Sequence, residues 1–315
     1  MIVDKATIYL RAGWGGEGNF SLIKLSSRKV IGAGGDGGKG ADIILKVSPH
    51  LYDLSKFKGN KKFIAQNGER GRDKNKKGKD AENLIVGVPL GTRVFDQNEN
   101  LIADLNNKNS EFLICQGGRE GKGNNKKEYI LEAAAGEEKT VVFDYRIPND
   151  VAIIGFPNSG KTSLLNVLCN KDRKVAEYPF TTSSCFWAES EQGFKAFTVL
   201  DAPPIKRTKE KDISSNSFLR HIFRSKIVIL LTDNFYEPGS VFSSLCEEIS
   251  LYDPLLTKGK KFFYLLNKID KIDKIKISED IFVISAKEGV GIEELKSKII
   301  STLKEEKKDE DKDED

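Results

Sequence analysis

Val151-Ala152-Ile153-Ile154-Gly155-Phe156-Pro157-Asn158-Ser159-Gly160-Lys161-Thr162-Ser163-Leu164-Leu165-Asn166-Val167-Leu168 is the stretch whose reading decides the fold. An apolar run leads into a glycine-bounded loop, and the loop leads into an apolar-periodic stretch: strand, loop, helix. Glycines at 155 and 160 let backbone N–H groups close around phosphates, and the start of a helix adds its unpaired N–H groups and positive dipole end. Lys161 is placed to reach the outer phosphates of a nucleotide and the Thr162 hydroxyl to ligate Mg²⁺. The competing reading is a glycine-containing turn followed by a chance Lys-Thr, which leaves the flanking strand and helix unexplained.

Downstream, apolar strands alternate with helical stretches, the pattern of a doubly wound α/β domain. Lys195–Asp201 reads as a strand ending in an acid, and Asp201 there suits a carboxylate that reaches Mg²⁺ through water. Ile227–Leu231, Phe262–Leu266 and 281–284 read as further strands, and 291–300 as an amphipathic closing helix. Asn267-Lys268-Ile269-Asp270 follows one of these strands. Asp270 can accept both N–H donors of the guanine edge, a charge-assisted pair that adenine cannot match. Asn267 can either meet the guanine carbonyl or tether the phosphate loop, while the Lys268 stem covers the ring face. Ser285-Ala286-Lys287, after the next strand, offers a backbone N–H to the base. Taken in this order, the elements point to GTP/GDP rather than ATP.

Upstream, the texture is different. Of the 28 glycines, 21 precede residue 150, clustered at 13–18, 32–40 and 117–123 without a strict three-residue period, so a collagen helix is excluded. Short alternating runs lie between the clusters (6–10, 43–47, 84–88, 93–95, 112–114 and 140–143) and read as strands of a small barrel or sandwich with projecting glycine-rich loops. The loop 68–79 carries Arg70, Arg72, Lys74, Lys76, Lys77 and Lys79. A second, 119–127, carries Lys122, Lys126 and Lys127. Cations on exposed glycine backbone suit a phosphate backbone, and no aromatic residue interleaves them for base stacking. Charge alone leaves RNA contact and an ordinary solvated face both open.

With no apolar run near 18 residues and no basic-then-apolar N-terminus, the 315-residue chain is expected to be cytoplasmic. Its four separated cysteines read as reduced thiols, and two histidines are too few for a histidine metal site.

The glycine-rich half resembles the Obg family through 4–10 with Ala12-Gly13-Trp14-Gly15-Gly16-Glu17-Gly18, through Gly34-Gly35-Asp36-Gly37-Gly38-Lys39-Gly40, and through Val88-Pro89-Leu90-Gly91-Thr92. The resemblance implies a P-loop GTPase domain with a doubly wound, mostly parallel sheet, preceded by a glycine-rich all-β Obg-fold domain in which polyproline-like helices pack above a small barrel. The expected divisions are 1–149, 150–302 and a disordered charged tail at 303–315, where 4 lysines face 8 acids. The same resemblance makes Tyr178-Pro179-Phe180-Thr181-Thr182 the first switch, with Thr182 completing Mg²⁺ coordination; Phe180 and Thr181 belong with it. Asn158 is compatible with K⁺ acting at the β- and γ-phosphates. Phe218–Ile222 fits a helix near the second switch, with His221 a helix residue. By resemblance the chain is a GTPase that docks on ribosomal RNA of the large ribosomal subunit and assists its assembly; a monomer is the default expectation. A sensor of guanosine tetraphosphate, using the same base contacts, is also compatible. Many family members carry a third folded domain, for which this chain has no room.

One segment departs from the family. Its second switch reads Asp-x-Pro-Gly; here it is Asp201-Ala202-Pro203-Pro204. Proline has no N–H to offer the γ-phosphate and cannot act as a glycine hinge. Weaker GTP-over-GDP discrimination and slow hydrolysis are the expectation. A non-hydrolysing RNA-binding assembly factor that keeps guanine nucleotide as a structural ligand is the rival reading.

Overall fold

The structure, a computed structural model, describes residues 3–59, 61–125, 131–169, 175–179, 184–192, 195–206, 213–233, 237–271 and 280–313. The chain divides into two compact units, with Val3–Tyr145 forming one and the chain from Arg146 onward the other. The boundary lies four residues before the expected 149.

In the first unit one sheet holds, in spatial order, Lys62–Ile64, Lys5–Arg11, Glu138–Tyr145, Thr92–Phe95 and Leu101–Leu105. A second holds Leu84–Val88, Ile43–Val47 and Glu111–Cys115. Alternation places Ile8, Leu10, Ile43, Leu45 and Phe143 in the core, where the Phe57 and Phe143 rings meet edge to face at 5.2 Å. The glycine-rich segments form no strands. They lie side by side and bond to one another: Gly16 N–H to Gly38, Gly37 N–H to Gly121 and Gly121 N–H to Gly16. A Cβ on Gly37 would sit 1.9 Å from the Gly16 carbonyl oxygen, so the close packing admits no side chain there. This bonding between neighbouring segments is how polyproline-like chains satisfy their backbone. A separate two-stranded hairpin, Leu22–Ser26 with Lys29–Gly32, was not expected from the sequence.

The second unit is a seven-stranded sheet. Its spatial order is Val175–Pro179, Ser184–Gln192, Lys195–Asp201, Val151–Gly155, Ile227–Thr232, Lys261–Leu266 and Ile281–Val283. Pairing is antiparallel among the first three and parallel thereafter. Helices α1 (Lys161–Leu168), α2 (Pro238–Tyr252) and α3 (Ile292–Asp313) cover it. Leu164 and Leu168 of α1 and Leu295 and Ile299 of α3 share a core with Ile153, Ile229 and Leu265. Phe242 of α2 packs on Tyr264, the neighbour of Leu265 that alternation sends to the opposite face. Helices therefore cover both faces, the doubly wound arrangement. Backbone helix in α3 continues to Asp313, across most of the stretch expected to be a disordered tail.

Tight helical turns span Ile213–Arg224, with a kink at Asn216. Lys260 closes their end, its ammonium donating to the carbonyls of Phe223 at 3.0 Å and Ser225 at 2.5 Å. Burial pushes this ammonium down to about 8. The unfolded chain therefore holds the proton more tightly. This group's contribution rises with pH between about 8 and 10.5, and is lost as pH falls through about 8. In Lys260→Met the rise is absent: the gap in thermal midpoint between wild type and variant should widen from pH 7.5 to 10 by the equivalent of about 1–2 kcal/mol. A constant gap would show that the ammonium is not perturbed.

Candidate functional site

Val151–Gly155 lies fully buried between two parallel neighbours, which register Ile153 beside Asp201 and Gly155 beside Leu231. The loop leaving it needs both its glycines. A Cβ on Gly155 would lie 2.4 Å from the Leu231 carbonyl oxygen. Gly160 has φ +94, and its Cβ would lie 2.2 Å from Asn267 Nδ2. Asn158 also takes a left-handed backbone, φ +65, one of the conformations Asn tolerates best among non-glycine residues.

Gly160 makes room for Asn267, and that explains the position of Asn267 in turn. Its buried amide donates to the Ser159 carbonyl at 3.0 Å, and its Oδ1 accepts from Ala286 N–H at 3.0 Å. Of the two roles open in the sequence, the tether is the one the geometry adopts, and it engages one N–H, that of Ala286, in the 285–287 segment from which a backbone N–H was expected to support the base. Lys268, φ +67, donates to the Asn158 carbonyl at 2.7 Å and pairs with Asp233 at 2.8 Å. Asp270 is exposed. Its Oδ1 accepts from the Ser285 hydroxyl at 2.7 Å, a bond that holds the carboxyl below its ordinary value and leaves acceptor capacity directed to solvent. Lys287 is exposed and paired with Glu288.

At the start of α1 the Lys161 ammonium is buried and donates to the carbonyls of Gly155 and Phe156, both at 3.1 Å. Burial lowers its pKa and the Asp201 charge opposes that. Thr162 Oγ1 donates to Asp201 Oδ2 at 2.7 Å. Burial pushes the Asp201 carboxyl up to about 6, against the pull of the Thr162 hydroxyl and the Lys161 ammonium. Among the described residues neither Asp201 Oδ1 nor Ser159 Oγ, both buried, has a hydrogen-bond partner. Hard oxygen donors, an orphaned buried carboxylate oxygen and a carboxyl short of positive charge are what a Mg²⁺ ion satisfies. The residues fit the metal.

Beyond Asp201 the chain is held closely. Ala202 N–H donates to Ile153, and Ile205 N–H to Gly155 at 3.3 Å, with Ile205 buried and Pro204 exposed. Lys206 is clasped by the buried Asn216 side chain, which accepts from its N–H at 3.1 Å and donates to its carbonyl at 3.0 Å. His221 is fully buried, its Nδ1 accepting from Ile147 N–H at 3.3 Å. Phe180, Thr181 and Thr182 lie outside the described residues.

Of the basic positions, Lys126 and Lys127 also lie outside the described residues. Arg72 pairs with Glu69, Lys77 with Asp80, and Arg70 more loosely with Glu17 at 3.8 Å. Lys122 is engaged by Glu120 and Asp36, which raise its pKa, so it serves the glycine-rich packing. Lys74, Lys76 and Lys79 are exposed and make no ion pair among the described residues.

Two residues escaped sequence reasoning. Asp233 had a usable signal, being an acid directly after the strand Ile227–Thr232, at the strand end where α/β sites form. Asn216 had none, since only the fold brings it to Lys206.

A family model described as GTP1/OBG matches residues 3–140, and one described as 50S ribosome-binding GTPase matches 150–268. The chain is 35% identical to a protein named GTPase Obg from Aquifex aeolicus (strain VF5), over 93% of each chain. It is 36% identical to GTPase Obg from Thermoanaerobacter sp. (strain X514), over 96% of this chain and 78% of that one. Among solved structures, the G domain of the T. maritima FeoB iron transporter is 27% identical, covering 49% of this chain and 98% of its own, with a TM-score of 0.39.

Proposed function

The chain belongs to the Obg family of GTPases, and from that premise we propose that it binds GTP between its phosphate loop and the Asn267–Asp270 loop, hydrolyses it slowly, and docks on the large ribosomal subunit to assist its assembly. The observation that carries the nucleotide reading is Asn267. One buried amide holds the phosphate loop through Ser159 and the 285–287 loop through Ala286, so phosphate and base elements form one site. Lys161 meets the outer phosphates, exchanging its two carbonyl bonds for phosphate oxygens. Asp270 accepts from the guanine edge, and Lys268, held by Asp233, lies over the ring. Thr162 and Asp201 would hold Mg²⁺, with Thr182, by the family resemblance, as a third member. When bound, the ion would supply positive charge to offset that of the nucleotide's phosphates. Asn158 is the residue through which K⁺ would act.

The ribosomal part rests on the family and on the exposed cations Lys74, Lys76 and Lys79. Its test is co-sedimentation of the full chain with large ribosomal subunits. Wild type should pellet with the subunit, and Lys74→Glu/Lys76→Glu/Lys79→Glu should weaken binding at least about tenfold, with a shallower salt dependence. Unchanged binding of the triple variant would remove these loops from the interface.

The rival, a binding protein that does not hydrolyse, is favoured by one observation. Pro204 has no N–H, and Asn216 clasps Lys206 two residues on, so the second switch is held in place without a γ-phosphate. One hydrogen bond to a charged group is worth about 1.5–3 kcal/mol. Wild type should therefore prefer GTP over GDP by less than about a hundredfold, and Pro204→Gly should raise the preference about tenfold or more in nucleotide titrations. A wild-type preference above that bound would mean another donor replaces the missing N–H.

A further inference from the structure

The chain enters the second unit at Arg146, and its first residues there are gripped by three elements of that unit. Arg146 donates to the Arg220 carbonyl at 2.6 Å, with its guanidinium 5.7 Å from the Phe223 ring. Ile147 N–H donates to His221 Nδ1, and the Trp187 indole N–H donates to the Pro148 carbonyl at 2.9 Å. Asn149 is buried; it donates to the carbonyls of Ile147 at 2.8 Å and His221 at 3.0 Å, and accepts from the Ser225 hydroxyl. Asp150 accepts from Thr198 through its carboxyl and from Lys226 N–H through its carbonyl. Buried polar groups paired this fully hold one arrangement.

The turns that grip the linker, Ile213–Arg224, also carry Asn216, whose amide clasps Lys206. One element thus holds both the linker and the second switch. The consequence lies in the backbone of 202–206. Ala202 N–H donates to Ile153 at 3.1 Å, Ile205 N–H to Gly155 at 3.3 Å, and Lys206 N–H to Asn216 at 3.1 Å. Pro203 and Pro204 have no N–H. Among these described residues no backbone donor is left for a γ-phosphate while the clasp is closed. Released from Asn216, the Lys206 N–H becomes a donor two residues beyond the position where Pro204 lacks one.

We propose that this clamp is autoinhibitory. The Arg146–Asn149 linker, through His221 and Asn216, holds the second switch closed, and strain on the linker when the first unit docks releases the Lys206 N–H to the γ-phosphate. The docking step rests on the ribosomal reading above; the clamp itself does not. Such coupling is reciprocal, so an opened switch also favours the docked state.

The test uses three variants of the full chain. Asn149→Ala and Trp187→Phe loosen the linker, the second keeping an aromatic ring while losing the N–H, and Asn216→Ala opens the clasp. Without subunits, each should speed single-turnover GTP hydrolysis at least about fivefold. Each should also raise the preference for GTP over GDP about tenfold, the worth of one hydrogen bond to a charged group. Damage to the fold lowers rate and affinity, so it cannot produce these gains. Should Asn149→Ala fail to fold, Trp187→Phe carries the linker arm. With large subunits, wild type should accelerate and the variants gain little more. Rates and preferences at or below wild type, in variants that keep its thermal midpoint, overturn the proposal. A gain confined to Asn216→Ala also overturns it, because the linker would then have no control. Gains in all three variants, with no acceleration of wild type by subunits, would overturn the docking step alone.

Discussion

Replacing Asp270 with alanine should lower affinity for GTP and GDP alike by about 3 kcal/mol, roughly a hundredfold or more. The carboxylate offers two acceptor oxygens to the two adjacent N–H donors of guanine, and each charge-assisted bond is worth about 1.5–3 kcal/mol. Ser285 donates to Oδ1 at 2.7 Å and fixes the carboxylate's orientation, so little ordering is lost on binding. Asp270→Asn keeps the shape but presents an N–H where guanine also has one. That variant should lose GTP as severely and gain affinity for xanthosine triphosphate, whose carbonyl accepts at that position. Competition titrations against a fluorescent guanine nucleotide measure all of these. A wild-type-like affinity in Asp270→Ala would place the base elsewhere.

Replacing Lys161 with alanine should reduce GTP hydrolysis by about a hundred- to a thousandfold, the range for removing one preorganised donor from a site of developing negative charge. The ammonium is buried, and carbonyls at 3.1 Å hold it beside the place where α1 begins. Its lowered pKa reflects burial without a full counter-charge, a condition that a polyphosphate relieves. The fold should tolerate the change, because Ile205 N–H still donates to the Gly155 carbonyl. Single-turnover hydrolysis, with thermal midpoint as the control, reads the effect; an undiminished rate would exclude Lys161 from the chemistry.

Much of the second unit was legible because local signals there agree with the fold. Uniformly apolar runs became central strands, and the glycines at 155 and 160 sit where backbone or Asn267 leaves no room for a Cβ. Asn267 itself was legible only as two alternatives, since a side chain that can face a ligand or a loop is decided by what lies across from it. Ser184–Gln192 was missed because its partners are antiparallel sheet neighbours that no turn signal announces. In the first unit, residue-level reading found strands and glycine clusters. The mutual bonding of the clusters came from family resemblance, because segments without internal hydrogen bonds leave no periodicity. The hairpin was missed because Leu22–Leu25 has one polar residue among aliphatics and reads as neither a half-buried strand nor a loop. Lys122 shows the limit of charge counting, being a basic loop residue held inward by Asp36 and Glu120.

Single-turnover GTP hydrolysis in K⁺ buffer, with and without large ribosomal subunits, tests the central claim most directly. The account predicts slow turnover alone, acceleration by the subunit, and loss of both in Lys161→Ala. Tightly bound GTP that is not hydrolysed in either condition would contradict it, leaving Pro204 as the mark of a protein that holds guanine nucleotide without using it.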